Sequence, residues 1–568
     1  MRSVEGDNLM SFQAKRDNFF SQQGALVYAV FPFLLLMLAA CGSSSSGPKP
    51  KPTATATGTS TPTATPTPSA EQVLFSPPSV ELNPGTASTF TINMTAFDSS
   101  GVPITPSSAI PMMVKVYGAE SGVITPATST LTGSSSVTFT YNGGAVPNNV
   151  LIDAWIFDVT STGYAIGQAL LLPQNLTCAP GTQTYSAPLT STVPNALQVQ
   201  AAVGHLDSTA PATTTAYTVD TGSLGTVVPV VDLPSVGAGT NTFLIGPGAQ
   251  GLTCYDSNNL AFYGNYYLAP VDIQVADSSI VHSHPIMVLG INQECPVTDC
   301  TSLAPNGQCI SLTESYCANG QHPSDCLHYI GVGYDRESSA PGDLFQSPAQ
   351  NAFLHITDPN NEGTDIGPGY ILPSPPTGGN GAVTLGINST TGYNTNTLTR
   401  NSSHPGDFNL LSGCFSFPDL ATPNSFCGSS IFDVGIKEML LKLPCAQWPA
   451  GTYDTSTYSC TANPPVPLAK ASVSAGVTID VAMGLGSPTP SPTPAPLVSY
   501  SFTTGGAVSG PAPAYAEWQD TTGTALAGTP VVNSGRNPLN CDNYLYQGQC
   551  GVVGFQPISP APAGCPTP

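Results

Sequence analysis

Along much of the chain apolar residues alternate with Thr, Ser and Asn at a period of two. Phe90, Ile92 and Met94 form one such run and Val137, Phe139 and Tyr141 another, set between turn residues Asn83-Pro84-Gly85 and Asn142-Gly143-Gly144. Alternation of this kind places one face of a strand on a core and the other in water. Short strands recur from Asn195 onward, and long amphipathic helical patterns are scarce. The predicted fold class is all-β.

Residues 71–173 carry strands at a spacing that resembles an immunoglobulin-like sandwich, a spacer or adhesive module with no visible chemistry of its own. Residues 42–70 are Ser, Thr, Pro and Ala without apolar periodicity, which predicts an extended linker. At roughly 3 Å per residue it would reach on the order of 90 Å. A second Pro-rich piece, 487–496, is short and flanked by strand-like segments, so it is expected to be an exposed loop. At the start, Lys15 and Arg16 precede an apolar run, 24–40, that is broken by Pro32 and ends in Leu38-Ala39-Ala40-Cys41. That order predicts a signal peptide over 1–41, and the run is shorter than the ~20 residues of a spanning helix. Its ending resembles the lipobox of bacterial lipoproteins, which implies a diacylated Cys41, a membrane partner through that lipid, and a cell-envelope location facing outside the cytoplasm. Gly42 after it is compatible with an outer membrane.

Charge narrows the partners. With 12 basic residues against a net charge of −22, the chain would repel phosphate backbones, which excludes nucleic acid. Fifteen cysteines, set among so few charges, read as Cys41 plus an even set of disulfide partners for an oxidising compartment. Near neighbours suggest Cys414 with Cys427, Cys445 with Cys460, and Cys541 with Cys550. Cys295, Cys300, Cys309, Cys317 and Cys326, near His322 and His328, do not repeat the paired knuckles of a zinc site, so bridges are expected there. His282 and His284 flank Ser283 on one strand face and read as hydrated surface rather than a metal pair.

Chemistry concentrates at Tyr217 to Val228, where an apolar strand runs into Asp220-Thr221-Gly222-Ser223. Glycine permits the tight turn, and neighbouring hydroxyl and amide donors can hold the carboxylate. This region resembles the pepsin-like aspartic peptidases. Leu197 to Gly204 is similar to the family's opening strand, and Phe262-Tyr263-Gly264 stands where the family carries its flap tyrosine. Tyr329-Ile330-Gly331-Val332-Gly333-Tyr334 resembles the element threaded behind the first aspartate loop, and residues 381–386 the strand opening the second lobe. Val531-Val532-Asn533-Ser534, then Tyr544-Leu545-Tyr546 and Val553-Gly554-Phe555, resemble the closing strands. The resemblance implies two lobes, 174–372 and 373–568, no cofactor, and a second aspartate, because two close carboxylates share one proton as acid and base. Asp433, followed by Gly435 in an apolar frame, is that candidate.

The second loop departs from the family pattern. Val434 and Ile436 stand where hydroxyls are usual, Asn533 stands where a glycine is usual, and Lys437 would set a cation near the pair. The resemblance implies an acid-active endopeptidase whose Asp220/Asp433 dyad is supported by Thr221, Gly222, Ser223 and Gly435 and covered by Tyr263, acting on peptide or protein. Two alternatives stay open: an inactive pepsin-like cleft that binds peptide or glycan, and a structural or adhesive surface protein of stacked β-modules.

Overall fold

Period-two patterning becomes strand almost everywhere it occurs, and among the described residues the only helical turns are 3-10 turns. The computed structural model describes residues 72–565 apart from short intervening stretches, of which 174–180, 206–213, 235–242, 313–327, 455–469 and 486–494 are the longest. The signal peptide, Cys41 and the 42–70 linker therefore lie outside the described residues, as do His322, Cys317, Cys326, Cys460 and most of 487–496. The strands on either side of that Pro-rich piece, Thr478–Leu485 and Val498–Thr503, pair with each other, so it joins the two arms of a hairpin.

Ten strands between Gln72 and Pro173 hydrogen bond as one continuous sheet around an apolar core. Strand Ser136–Tyr141 alternates exposed and buried along its length, with Val137, Phe139 and Tyr141 inside. Strand Ser88–Phe97 turns Ile92, Met94 and Ala96 inward. A different pattern, Val-Leu-Ile-Asp-Ala-Trp-Ile over 150–156, is apolar almost without a break and is buried on both faces. Ile152, Ala154 and Ile156 fill the sandwich's own core, while Leu151 and Trp155 pack into clusters shared with the residues that follow the sandwich. Trp155 meets Phe243 edge-on at 6.3 Å, and Tyr117 meets His284 at 5.1 Å. The module, which resembles a spacer or adhesive unit in sequence, is packed against its neighbour.

Beside a two-stranded ribbon, Thr357–Asp358 with Asn361–Asp365, two large sheet systems build the rest of the described residues, and each contains the same crossing. In the first, Tyr329–Val332 lies between Thr215–Asp220, to which it is parallel, and Leu224–Pro229, to which it is antiparallel. In the second, Val531–Asn533 lies between Asn424–Ile431 and Met439–Leu443 with the same two senses. Beyond the crossing, Leu224–Pro229 runs parallel to Ile286–Pro296, and Met439–Leu443 parallel to Ala516–Asp520. The repeated topology sets Asp220 and Asp433 in equivalent loops of two lobes. Between the lobes runs a shared sheet in the order Tyr185–Ser191, Ala382–Leu385, Gly369–Leu372, Asp542–Gln547, Val552–Pro557 and Asn394–Thr397. Ala382–Leu385, Asp542–Gln547 and Val552–Pro557 thus belong to this seam rather than to the second lobe's own sheet.

Disulfides confirm one near-neighbour pairing and correct another. Cys414 joins Cys427 across adjacent antiparallel strands. Cys541 pairs with Cys565, not Cys550. The hairpin Asp542–Gln547/Val552–Pro557 explains why: Cys541 sits at its open end beside Ile558, and Cys550 sits in its turn, six strand residues away, or about 20 Å. Cys445 is disulfide-bonded, with its expected partner outside the described residues. In the cysteine-rich stretch, Cys295 pairs with Cys309 and Cys300 with Cys254. The two histidines read as surface are not: His284 is buried against Tyr117, and His282 is bonded to the buried Asp272, which also accepts from His205. The groups that cover His284 come from distant segments, the Tyr117 ring and the His355 carbonyl that accepts from the His284 amide, which a local pattern does not report.

Candidate active site

Asp220 ends strand Thr215–Asp220, Asp433 follows strand Asn424–Ile431 by two residues, and each leads into a tight turn. Asp220 accepts from the Gly222 amide at 2.7 Å and from Ser223 Oγ at 2.7 Å. Asp433 accepts from the Gly435 amide at 2.9 Å. The two loops then interlock. A Cβ on Gly222 would lie 2.4 Å from Asp433 Cγ, and one on Gly435 would lie 2.4 Å from Asp220 Oδ1. Glycine is required at both places for space alone, since it lets each loop's backbone rest directly on the opposing carboxyl group. Both aspartates are buried, and the structure brings them together as a facing pair.

Electrostatics follow from that geometry. Burial first, then the charge of Asp433, raises the Asp220 carboxyl from its usual range to about 7. Two like charges cannot share this dry space at low cost, so the pair retains one proton well above the pH at which a free aspartate ionises.

Thr221 links the lobes. Its Oγ1 donates to the Phe432 carbonyl at 2.6 Å and accepts from the Val434 amide at 3.0 Å. Val434 is fully buried and has no hydroxyl to return the contact, so this link is made from one side only.

The second departure is made good from elsewhere in the lobe. Where Ser223 serves Asp220, Ile436 has nothing to donate, but Asn533 Nδ2 donates to Asp433 Oδ2 at 2.8 Å. Asn533 sits at the end of the crossing strand, opposite Ile431. Its Oδ1 accepts from the Gly535 amide at 3.0 Å, which fixes the amide with its NH2 toward Asp433. The sequence signal was present as two departures, Ile436 and Asn533, that are complementary once folded.

The cation anticipated at Lys437 is elsewhere. Lys437 is exposed. Arg536 is buried behind the second loop, donating to the Gly435 carbonyl at 2.9 Å and to the Ile436 carbonyl at 3.0 Å. Arg336 plays the matching part behind the first loop, bonding the Thr221 carbonyl at 3.3 Å.

Tyr263, expected at a hairpin tip, is not there. Tyr263 lies within the sheet, opposite Leu252 and Gln293 at a bulge. The tyrosine at the tip of the hairpin Gln250–Tyr255/Leu260–Ala269 is Tyr255, whose ring packs on Tyr329 at 5.6 Å. Burial and the neighbouring Asp220 raise its hydroxyl well above the ordinary range. A strand-end tyrosine just ahead of a polar turn was the available signal.

No family model matches the chain, and no curated protein matches it. Among solved structures, the crystal structure of aspartic proteinase from Irpex lacteus aligns over 66% of this chain and 98% of its own, at 14% identity and a TM-score of 0.36. At that level of similarity, the reading of the site rests on the chain's own geometry.

Proposed function

We propose that the two-lobed part is an aspartic-type peptidase that hydrolyses peptide bonds through Asp220 and Asp433, without a cofactor. The observation that carries this reading is the interlocked pair, in which each carboxyl rests on the other loop's glycine and burial beside Asp433 raises the proton affinity of Asp220. A water bound by both carboxyl groups would give a proton to the ionised one as its oxygen attacks the peptide carbonyl carbon. The protonated carboxyl would give its proton to the carbonyl oxygen. Collapse then returns a diol proton to the second carboxylate, passes the first proton to the leaving nitrogen and breaks the C–N bond. Tyr255 is placed to cover the substrate from the hairpin tip.

This peptidase is exported and lipid-anchored through Cys41 in the proposed reading; the disulfides among the described residues fit an oxidising compartment. Purified protein incubated with a peptide library from pH 3 to 7 tests the activity. Cleavage is expected below neutrality and is expected to vanish in Asp220→Asn and Asp433→Asn. Cleavage that survives either substitution would refute the mechanism. Saturable peptide or glycan binding without turnover would select the inactive-cleft reading, which the missing hydroxyl at Val434 favours.

A further inference from the structure

The two carboxyl groups are held by different kinds of donor, and the difference is informative. Both oxygens of Asp433 face N–H groups, the Gly435 amide on Oδ1 and Asn533 Nδ2 on Oδ2. Such groups donate only; neither can accept a proton carried by the carboxyl. Asp220 faces one N–H, from Gly222, and one hydroxyl, from Ser223. A hydroxyl can turn and accept, so Asp220 can keep a proton on Oδ2 without losing its partner.

We infer that Asn533 is a positioning residue that breaks the symmetry of the pair, making Asp433 the ionised member and base and Asp220 the protonated member and acid. Hydrogen bonds to a charged carboxylate favour that form, and Asp433 has two that cannot be reversed. The surrounding charges lean the same way. Behind the second loop, the buried Arg536 interacts with Asp433 more strongly than with Asp220. Tyr255 and Ser223 face Asp220 from the first lobe, Tyr329 and Glu438 act on Arg536, and Lys437 is directed to solvent. The raised proton affinity of Asp220 agrees with its place as the acid. Asn533 thus does in this chain what a hydroxyl at position 436 would do, with one added consequence: it only donates, so it holds the charged form of Asp433 more strongly than the protonated one.

This inference rests on the peptidase reading for its catalytic consequence, and its test separates the two. In Asn533→Ala, the acid limb of the kcat/KM profile, which reports protonation of the base, is expected to move up by about one pH unit, with the alkaline limb unmoved. In Ser223→Ala the alkaline limb is expected to move instead. Equal movement of both limbs in each variant, or movement of only the alkaline limb in Asn533→Ala, would overturn the assignment. A second readout needs no turnover. The stability gap between wild type and Asn533→Ala, followed by urea unfolding, is expected to be widest near neutrality and to close as Asp433 takes up a proton on acidification; a gap independent of pH would overturn the inference even if the protein cleaves peptides. Absence of cleavage in wild type would refute the peptidase reading alone, leaving the unfolding comparison to decide the protonation. Asn533→Ser, which keeps a small polar group, carries the same two measurements should the alanine variant fail to fold.

Discussion

Thr221→Val isolates the one-sided link between the lobes. Valine has nearly the shape of threonine, so no cavity opens, but the Phe432 carbonyl loses a donor at 2.6 Å and the Val434 amide loses an acceptor at 3.0 Å. Both groups stay buried. An unsatisfied buried polar group costs about 1–3 kcal/mol, so two give roughly 2–6 kcal/mol. That is a large share of the ~5–15 kcal/mol by which domains are ordinarily stable. The loops would also lose the contact that sets their separation, and a displacement on the order of 1 Å can lower a rate about 100-fold. Urea unfolding and kcat/KM on a cleaved peptide measure the two effects. Thr221→Ser is the control: it keeps the hydroxyl, and its expected loss is about 1 kcal/mol for the removed methyl. The reasoning fails if Thr221→Val lies within about 0.5 kcal/mol of wild type, or if the serine variant is damaged equally.

Other expectations follow from equally local geometry. Gly222→Ala and Gly435→Ala each drive a methyl to 2.4 Å from the opposing carboxyl group, so both should abolish cleavage and lower the thermal midpoint; an active, fully stable variant would show that the loops do not interlock. Asp153 lies buried in the face that packs on the first lobe, bonded by Gln168 and raised by burial to about 8. An unfolded aspartate ionises near 3.9, so the native proton stabilises below that value and its benefit is lost as pH rises through about 8. Asp153→Asn should therefore match wild type near pH 4 and exceed it progressively toward pH 8, by up to ~5 kcal/mol; parallel curves in pH-dependent urea unfolding would refute this.

What the sequence discloses and what it hides divide along physical lines. Alternation at Ser136–Tyr141 and the Asp220-Thr221-Gly222-Ser223 turn are local, and the folded chain keeps both. Asp433 could be proposed because its turn repeats the first one's apolar frame. Local patterns do not report which distant group fills a vacancy. Asn533, Arg536 and the Cys541–Cys565 bridge all depend on strands that meet only after folding. For the same reason Phe262-Tyr263-Gly264 points to Tyr263 and leaves Tyr255 unnoticed: a motif of three residues says nothing about distance from a hairpin tip. The run at 150–156 did contain a readable clue, since unbroken apolarity means two covered faces, and one of them had to belong to another part of the chain.

That doubly covered strand changes what kind of object the N-terminal sandwich is. Leu151 and Trp155 complete hydrophobic clusters that also hold Tyr267, Phe243 and Phe345. Cutting the chain after the sandwich would strip a wall from the first lobe, just as a building loses more than a porch when the porch shares its beams. The two are expected to melt together, and neither is a cassette that can be moved to another protein unchanged.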